Sequence, residues 1–220
     1  MRHTSDQLHN LHLDFETSGL DEFLHDIIDV GVIGTTADHR ILFTYSSLVH
    51  ASPLTLAAIA GNADVSAMMQ RNGLLERLID GSTNGTLLSL AEVEDELLAI
   101  LDDAGITAET KVTLAGSGVA TFDMRFIRAS MPRLHQRLNY WTADVGVIRR
   151  EWKESTGTDL VTINKDKPHT GIDDARIHLN EAIAYRAVFT RLARLAGGGD
   201  LESIEAFLDK AGREVLADRW

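Results

Sequence analysis

The sequence predicts an α/β protein built on a mixed central sheet flanked by helices. Three observations carry that expectation. Strand-like segments come first and close together, helix–strand alternation follows after Pro53, and no strong break interrupts the chain before the Gly197-Gly198-Gly199 run. The 220 residues are enough for one substantial core, and 44% hydrophobic with 25% charged residues is a globular balance.

Residues 9–16 alternate, placing Leu11 and Leu13 on one face of a strand and Asp14 and Glu16 on the other. Two β-branched and aromatic segments, 27–34 and 41–50, follow with short polar connections, so the three strands are expected to form an antiparallel meander. Residues 54–60 and 65–71 read as short helices stopped at Asn72-Gly73, and the 81–85 stretch reads as a loop. A longer helix over 90–104 opens with a capping box of Ser89 and Glu92. Residues 111–114 form a short strand, 121–130 a helix, 138–143 the last strand and 145–154 another helix. After an irregular polar stretch at 155–168, an amphipathic helix runs over 172–195. The triple glycine then separates a domain over 1–196 from a helical extension over 200–220.

Composition removes several kinds of chemistry. There is no cysteine, so thiol nucleophiles, disulfides and iron–sulfur clusters are excluded, and any metal must be held by carboxylates or histidines. The first residues are polar, and no apolar run approaches the roughly 18–20 residues that span a bilayer, so a soluble, cytoplasmic protein is expected. The net charge of −12 and the lack of a dense Lys/Arg run disfavour extended tracking along nucleic acid. A nucleic-acid substrate, if there is one, is expected to be short and held locally.

The residues with chemical promise are acids. Asp14 and Glu16, at i and i+2 of a strand, project to one face roughly 6.5–7 Å apart. Two carboxylates so placed repel unless a cation lies between them, and an all-oxygen site suits Mg²⁺ or Mn²⁺. Taken alone, the pair is more often a solvent-facing strand end. Asp123 follows a strand and a glycine-containing loop, in the first turn of a helix, where an acid often serves only the helix dipole. His169 lies just past Pro168, and Asp173 and Asp174 open the next helix, where capping alone is an adequate reading. A histidine beside metal-bound water suits a general base, since imidazole ordinarily titrates near neutrality. Eight other histidines (His3, His9, His12, His25, His39, His50, His135 and His178) show no ligand spacing and read as surface or edge residues. Asp29 is expected to serve the sheet or its edge, and Gly116-Ser117-Gly118 lacks the ending of a phosphate loop.

The order of these elements resembles the DEDDh 3′→5′ exonuclease superfamily, whose fold is ribonuclease H-like. Its three motifs appear as Asp14-Phe15-Glu16-Thr17-Ser18-Gly19-Leu20, then Phe122-Asp123, then His169 with Asp174 five residues on. Within that superfamily, residues 9–195 look most like oligoribonuclease. Asn72-Gly73-Leu74, Met131-Pro132-Arg133-Leu134, residues 139–144 and Arg149-Arg150-Glu151-Trp152 resemble its further segments. Departures are Gly171 in place of alanine, a change expected to matter little, and a dinucleotide cap replaced by Asp64, Met69, Trp141 and Gly146.

The resemblance implies hydrolysis with two divalent metal ions, Mg²⁺ or Mn²⁺, about 3.5–4 Å apart. Asp14, Glu16 and Asp174 would hold one ion, with Asp14 shared by the second and Asp123 bound directly or through water. His169 would deprotonate the attacking water, and the product would be a nucleoside 5′-monophosphate. Leu20 would wedge between the last two bases, Phe15 and Thr17 would line the terminal pocket, and Tyr140 would reach into the site of a partner in a homodimer. Short single-stranded RNA is the substrate implied. A proofreading-type DNA exonuclease would use the same five residues, and a catalytically silent nucleic-acid-binding scaffold would have no need to keep mutually repelling acids.

Overall fold

In the computed structural model the described residues are 7–162 and 169–197. Strands β1 (Asn10–Thr17), β2 (Ile27–Thr35) and β3 (Ile41–Leu48) form the expected antiparallel meander. The helices α1 (Pro53–Gly61), α2 (Ala63–Arg71), α3 (Leu74–Thr83) and α4 (Leu90–Asp103) come next. Strand β4 (Val112–Gly116) and helices α5 (Asp123–Ser130) and α6 (Pro132–Gln136) lead to β5 (Leu138–Asp144), α7 (Val145–Thr156) and α8 (Gly171–Gly197). The five-stranded sheet has the order β3-β2-β1-β4-β5, with β1 parallel to β4 and β4 parallel to β5. This is the mixed, ribonuclease H-like α/β sheet that the sequence predicts.

Local chemistry explains the helix boundaries. Ser52, Asn62, Ser89 and Asp144 each cap a helix through a side-chain oxygen, and the Ser89–Glu92 capping box forms as expected. The loop expected at 81–85 starts later, because α3 continues to Thr83. Gly81 faces Leu87 there, with its missing Cβ only 2.7 Å from the leucine Cγ, so the glycine serves a close approach inside the helix. Buried Glu94 on α4 accepts hydrogen bonds from the Arg133 and Leu134 amides at 2.8 and 2.9 Å, which fixes the start of α6 behind Pro132.

The main core lies on one face of the sheet. Leu11, Leu13 and Phe15 of β1 pack there with Leu97 and Leu101 of α4 and Phe126 of α5. On the opposite face, Ile33 meets Ile172, Ala175 and Leu179 of α8. A smaller cluster joins Ile28 to α1, α2 and α3 through Ile59, Met69, Leu74 and Leu78.

The chain divides into two compact units, Met1–Asn180 and Glu181–Trp220. The described part of the second unit, 181–197, is the later portion of α8 and exposes Phe189, Leu192 and Leu195. The extension expected over 200–220 lies outside the described residues. Among the described residues, no helix is long and apolar enough to cross a membrane.

One contact sets how closely α8 approaches the sheet. A Cβ on Gly31 of β2 would lie 2.0 Å from the Gly171 carbonyl carbon, and a Cβ on Gly171 would lie 2.6 Å from the Asp14 carbonyl oxygen. Both obstacles are backbone, which cannot swing aside. Gly31→Ala is therefore expected to destabilise the protein by about 1–3 kcal/mol, as overpacking does. Gly61→Ala, where a Cβ meets nothing within 4 Å, is expected to stay within about 0.5 kcal/mol of wild type. Urea midpoints for the two variants check this contrast.

Candidate active site

The site forms where β1 outlasts its parallel partner. Pairing with β4 ends at His12↔Ala115, while pairing with β2 continues past Glu16. The Phe15 amide, beyond the β4 ladder, donates instead to the Asp123 carboxylate at 3.1 Å. That bond ties the first turn of α5 to the peptide between Asp14 and Glu16. The side chains of Asp14 and Glu16 project from the face opposite the Leu13 and Phe15 core, towards the start of α8.

Helix α8 supplies Asp174 to the same place. Its start is fixed by three contacts: the Gly31–Gly171 approach, a 2.9 Å hydrogen bond from the Gly171 amide to Asp29, and one of 2.6 Å from Asn72 Nδ2 to the His169 carbonyl. Asp29 therefore does more than serve the sheet edge, since it anchors the helix to β2. Burial pushes its pKa upward, partly opposed by the Gly171 amide. With α8 so placed, carboxylate oxygens of Asp14, Glu16 and Asp174 all lie within 4.8 Å of one another. The His169 ring, about one-third exposed, has Nδ1 3.7 Å from an Asp174 oxygen.

Magnitudes separate the two readings of these acids. Two unit charges at that separation repel by about 3–4 kcal/mol at an effective dielectric constant of 20. A helix-dipole contact returns only about 0.3–1 kcal/mol. Capping alone does not offset the cost of holding three carboxylates together, whereas a divalent cation reverses its sign. The donor set is all oxygen, as hard divalent ions take.

Asp123 stands beside this group and outside it. It is buried, and desolvation by that burial raises its pKa to about 7, with a further rise from Asp144 and an opposing pull from the Phe15 amide. Asp144 is itself engaged by the amides of Gly118 and Gly146 at 3.1 and 2.9 Å.

Comparison with known proteins gives relatives in sequence and in fold. No family model matches the chain. Over 144 residues, 64% of each chain, it is 36% identical to an oligoribonuclease of Corynebacterium diphtheriae. It is 28% identical to the oligoribonuclease of Xanthomonas euvesicatoria pv. vesicatoria over 195 residues, covering 85% of this chain and 92% of that one. In sequence the chain is similar to oligoribonucleases. Its matches span 61–64% of the length of the corynebacterial relatives. In fold it is similar to E. coli Exonuclease I, solved in complex with a 5cy-dT13 oligonucleotide, with a TM-score of 0.58 at 12% identity over 84% of this chain and 42% of that one. Apo Exonuclease I gives a TM-score of 0.55 at 13% identity.

The chain places its remaining expected site residues unevenly. Leu20 is exposed, and the Thr17 hydroxyl donates to the Gly19 carbonyl at 2.6 Å. The Phe15 ring, expected to line a terminal pocket, is only 4% exposed and belongs to the main core. Tyr140 is exposed on β5 and meets the Trp141 ring edge-on at 4.6 Å. Of the positions that depart from the oligoribonuclease cap, Met69 is fully buried among core residues and Asp64 is exposed in the first turn of α2. Gly171, a departure expected to matter little, is where α8 touches the backbone of Asp14.

Two histidines expected at the surface or an edge are buried. His178 lies with Nδ1 3.7 Å from an Asp14 oxygen, and His12 lies two residues before Asp14 on the same strand face. Burial, with His39 and His178 nearby, pushes the His12 imidazole down to about 3. His178 was findable from the sequence, because it stands four residues after Asp174 on one helix face.

A pH dependence follows from Asp123. Its folded pKa exceeds the ordinary aspartate value, so its protonated form favours the fold below about pH 4, and that stability is lost as pH rises through about 7. In EDTA, Asp123→Asn keeps an acceptor for the Phe15 amide without the charge. It is expected to be more stable than wild type at pH 8, by on the order of a few kcal/mol, with the advantage shrinking towards pH 4. Thermal or urea melts across that range measure it.

Proposed function

We propose that the chain is a metal-dependent 3′→5′ exoribonuclease that acts on short single-stranded RNA in the cytoplasm and releases nucleoside 5′-monophosphates. The observation that carries this reading is the convergence of Asp14, Glu16 and Asp174 within 4.8 Å, with His169 beside Asp174. The oligoribonucleases among its relatives supply the substrate class.

In this proposal Asp14, Glu16 and Asp174 hold Mg²⁺ or Mn²⁺, and Asp123 serves a second ion directly or through water. Bound there, the ions neutralise charge on the phosphodiester oxygens. His169, partly exposed and held through its own carbonyl by Asn72, takes a proton from the attacking water. The water oxygen bonds to phosphorus as the bond to the penultimate O3′ breaks, so the last nucleotide leaves with its 5′-phosphate. Leu20, at 77% exposure, is available to part the last two bases, with Thr17 beside it. A homodimer belongs to the same reading. Exposed Tyr140 and Trp141 on β5, at one end of the strand order, support it.

The test uses 5′-labelled RNA and DNA of several lengths with Mn²⁺, Mg²⁺ or EDTA. Stepwise 3′ shortening of RNA is expected, abolished by EDTA and reduced on the order of 100-fold or more in Asp174→Ala. No cleavage of any substrate with either metal would sink the proposal, and stronger cleavage of DNA would move its substrate class.

A further inference from the structure

We propose that the β1–β2 loop and the outer face of α5 form a subsite for nucleotides on the 5′ side of the scissile phosphodiester. In it Arg128 meets a backbone phosphate and the Phe23 ring stacks on a base. The inference rests on the exonuclease reading above and deepens it, because it names how RNA longer than a dinucleotide is held.

The loop is rigidly presented. Ser18 and Asp26 close it with two hydrogen bonds of 2.9 Å, amide to carbonyl and amide to hydroxyl. The Phe23 amide donates to the Asp21 carboxylate at 2.9 Å, and Gly19 lies against the His25 ring with no room for a Cβ. A loop tied at so many points would be expected to turn its apolar side chains inward. Instead Phe23 is 83% exposed and Leu24 77% exposed. An aromatic ring held out on an ordered loop is a stacking platform, and base–aromatic stacking tolerates any base.

The adjoining helix adds charge. Arg125 and Arg128 stand three residues apart on one face of α5. Arg125 joins the loop to the helix by donating to the Leu20 carbonyl at 3.2 Å and pairing with Glu22 at 3.4 Å. Arg128 is exposed and makes no ion pair among the described residues. Together with Glu22, Phe23 and Ala129 these arginines line a cleft of about 320 Å³. In a chain with 33 acidic and 21 basic residues, an exposed arginine beside an exposed ring is a local site for an anion set against an overall repulsive field.

Position fixes which part of a substrate would meet this cleft. Asp123, tied to Phe15 between two of the clustered acids, opens the same helix, and Arg128 lies roughly 7–8 Å further along its axis. The cleft therefore adjoins the reacting phosphodiester without being part of it. A 3′-terminal substrate extends only in the 5′ direction, so nucleotides beyond the last two are the ones available to fill it.

The experiment compares wild type with Phe23→Ala and Arg128→Gln, both exposed positions outside the core. Nucleotide release from a dinucleotide and from a heptanucleotide RNA gives kcat/KM for each. Calorimetry of the heptanucleotide in EDTA gives affinity with turnover absent. Each variant is expected to lose about 5- to 100-fold in heptanucleotide affinity and kcat/KM, the range of one stacking or phosphate contact, while the dinucleotide changes less than about twofold. Arg128→Gln should also lower the slope of log affinity against log salt by about 0.7. Heptanucleotide affinity unchanged in both variants, or an equal loss on both substrates, would overturn the subsite. A heptanucleotide bound with the expected variant losses but never cleaved would support the subsite and defeat the exonuclease reading alone.

Discussion

The site depends on one backbone-to-backbone contact, the approach of Gly171 to Gly31 and to the carbonyl of Asp14. In this chain a Cβ at either position would meet the backbone opposite, so the two glycines set the spacing of α8 from the sheet and, with it, the place of Asp174. The hydrogen bond from the Gly171 amide to buried Asp29 adds direction to that approach, satisfying a helix-start amide that would otherwise need water. Two missing methyl groups and one carboxylate thus bring an acid of α8 to two acids of β1.

The rest of the architecture opposes the electrostatic cost of that arrangement. Leu13 and Phe15, on the far face of β1, are locked in the main core, so the strand cannot twist to separate Asp14 from Glu16. Asp123 satisfies the Phe15 amide after β4 has left the ladder, which keeps β1 extended to the residue where it is needed. The acids are held by elements whose stability comes from apolar packing elsewhere, which is how a fold carries a locally unfavourable constellation.

Much of this was legible in the sequence, and the reasons differ by element. The meander, the capping box at Ser89 and the order of strands and helices follow from period and punctuation, which are local properties. Asp14 and Glu16 share a strand face, but singly the acids read as strand-end or capping residues, and it was the resemblance of their order and of the His169–Asp174 spacing to the exonuclease motifs that singled them out. What escaped was long-range. The burial of His12 and His178 depends on α8 lying over β1, and the burial of the Phe15 ring depends on a core that covers the face opposite its neighbours. The weight of Gly171 is visible only once Gly31 is opposite it. The continuation of α3 through Gly81 escaped because glycine there serves a close approach to Leu87, while in sequence it reads as a break.

The three carboxylates gathered by the glycine contact are placed to hold a divalent cation. Calorimetric titration of Mn²⁺ into the protein without nucleic acid tests this most directly, with Asp174→Asn and Gly171→Val beside wild type. Saturable binding by wild type is predicted, weakened at least about tenfold in both variants, in Asp174→Asn by loss of a ligand and in Gly171→Val by displacement of the helix that carries it. Absence of saturable binding by wild type, or binding that neither substitution weakens, would contradict the account.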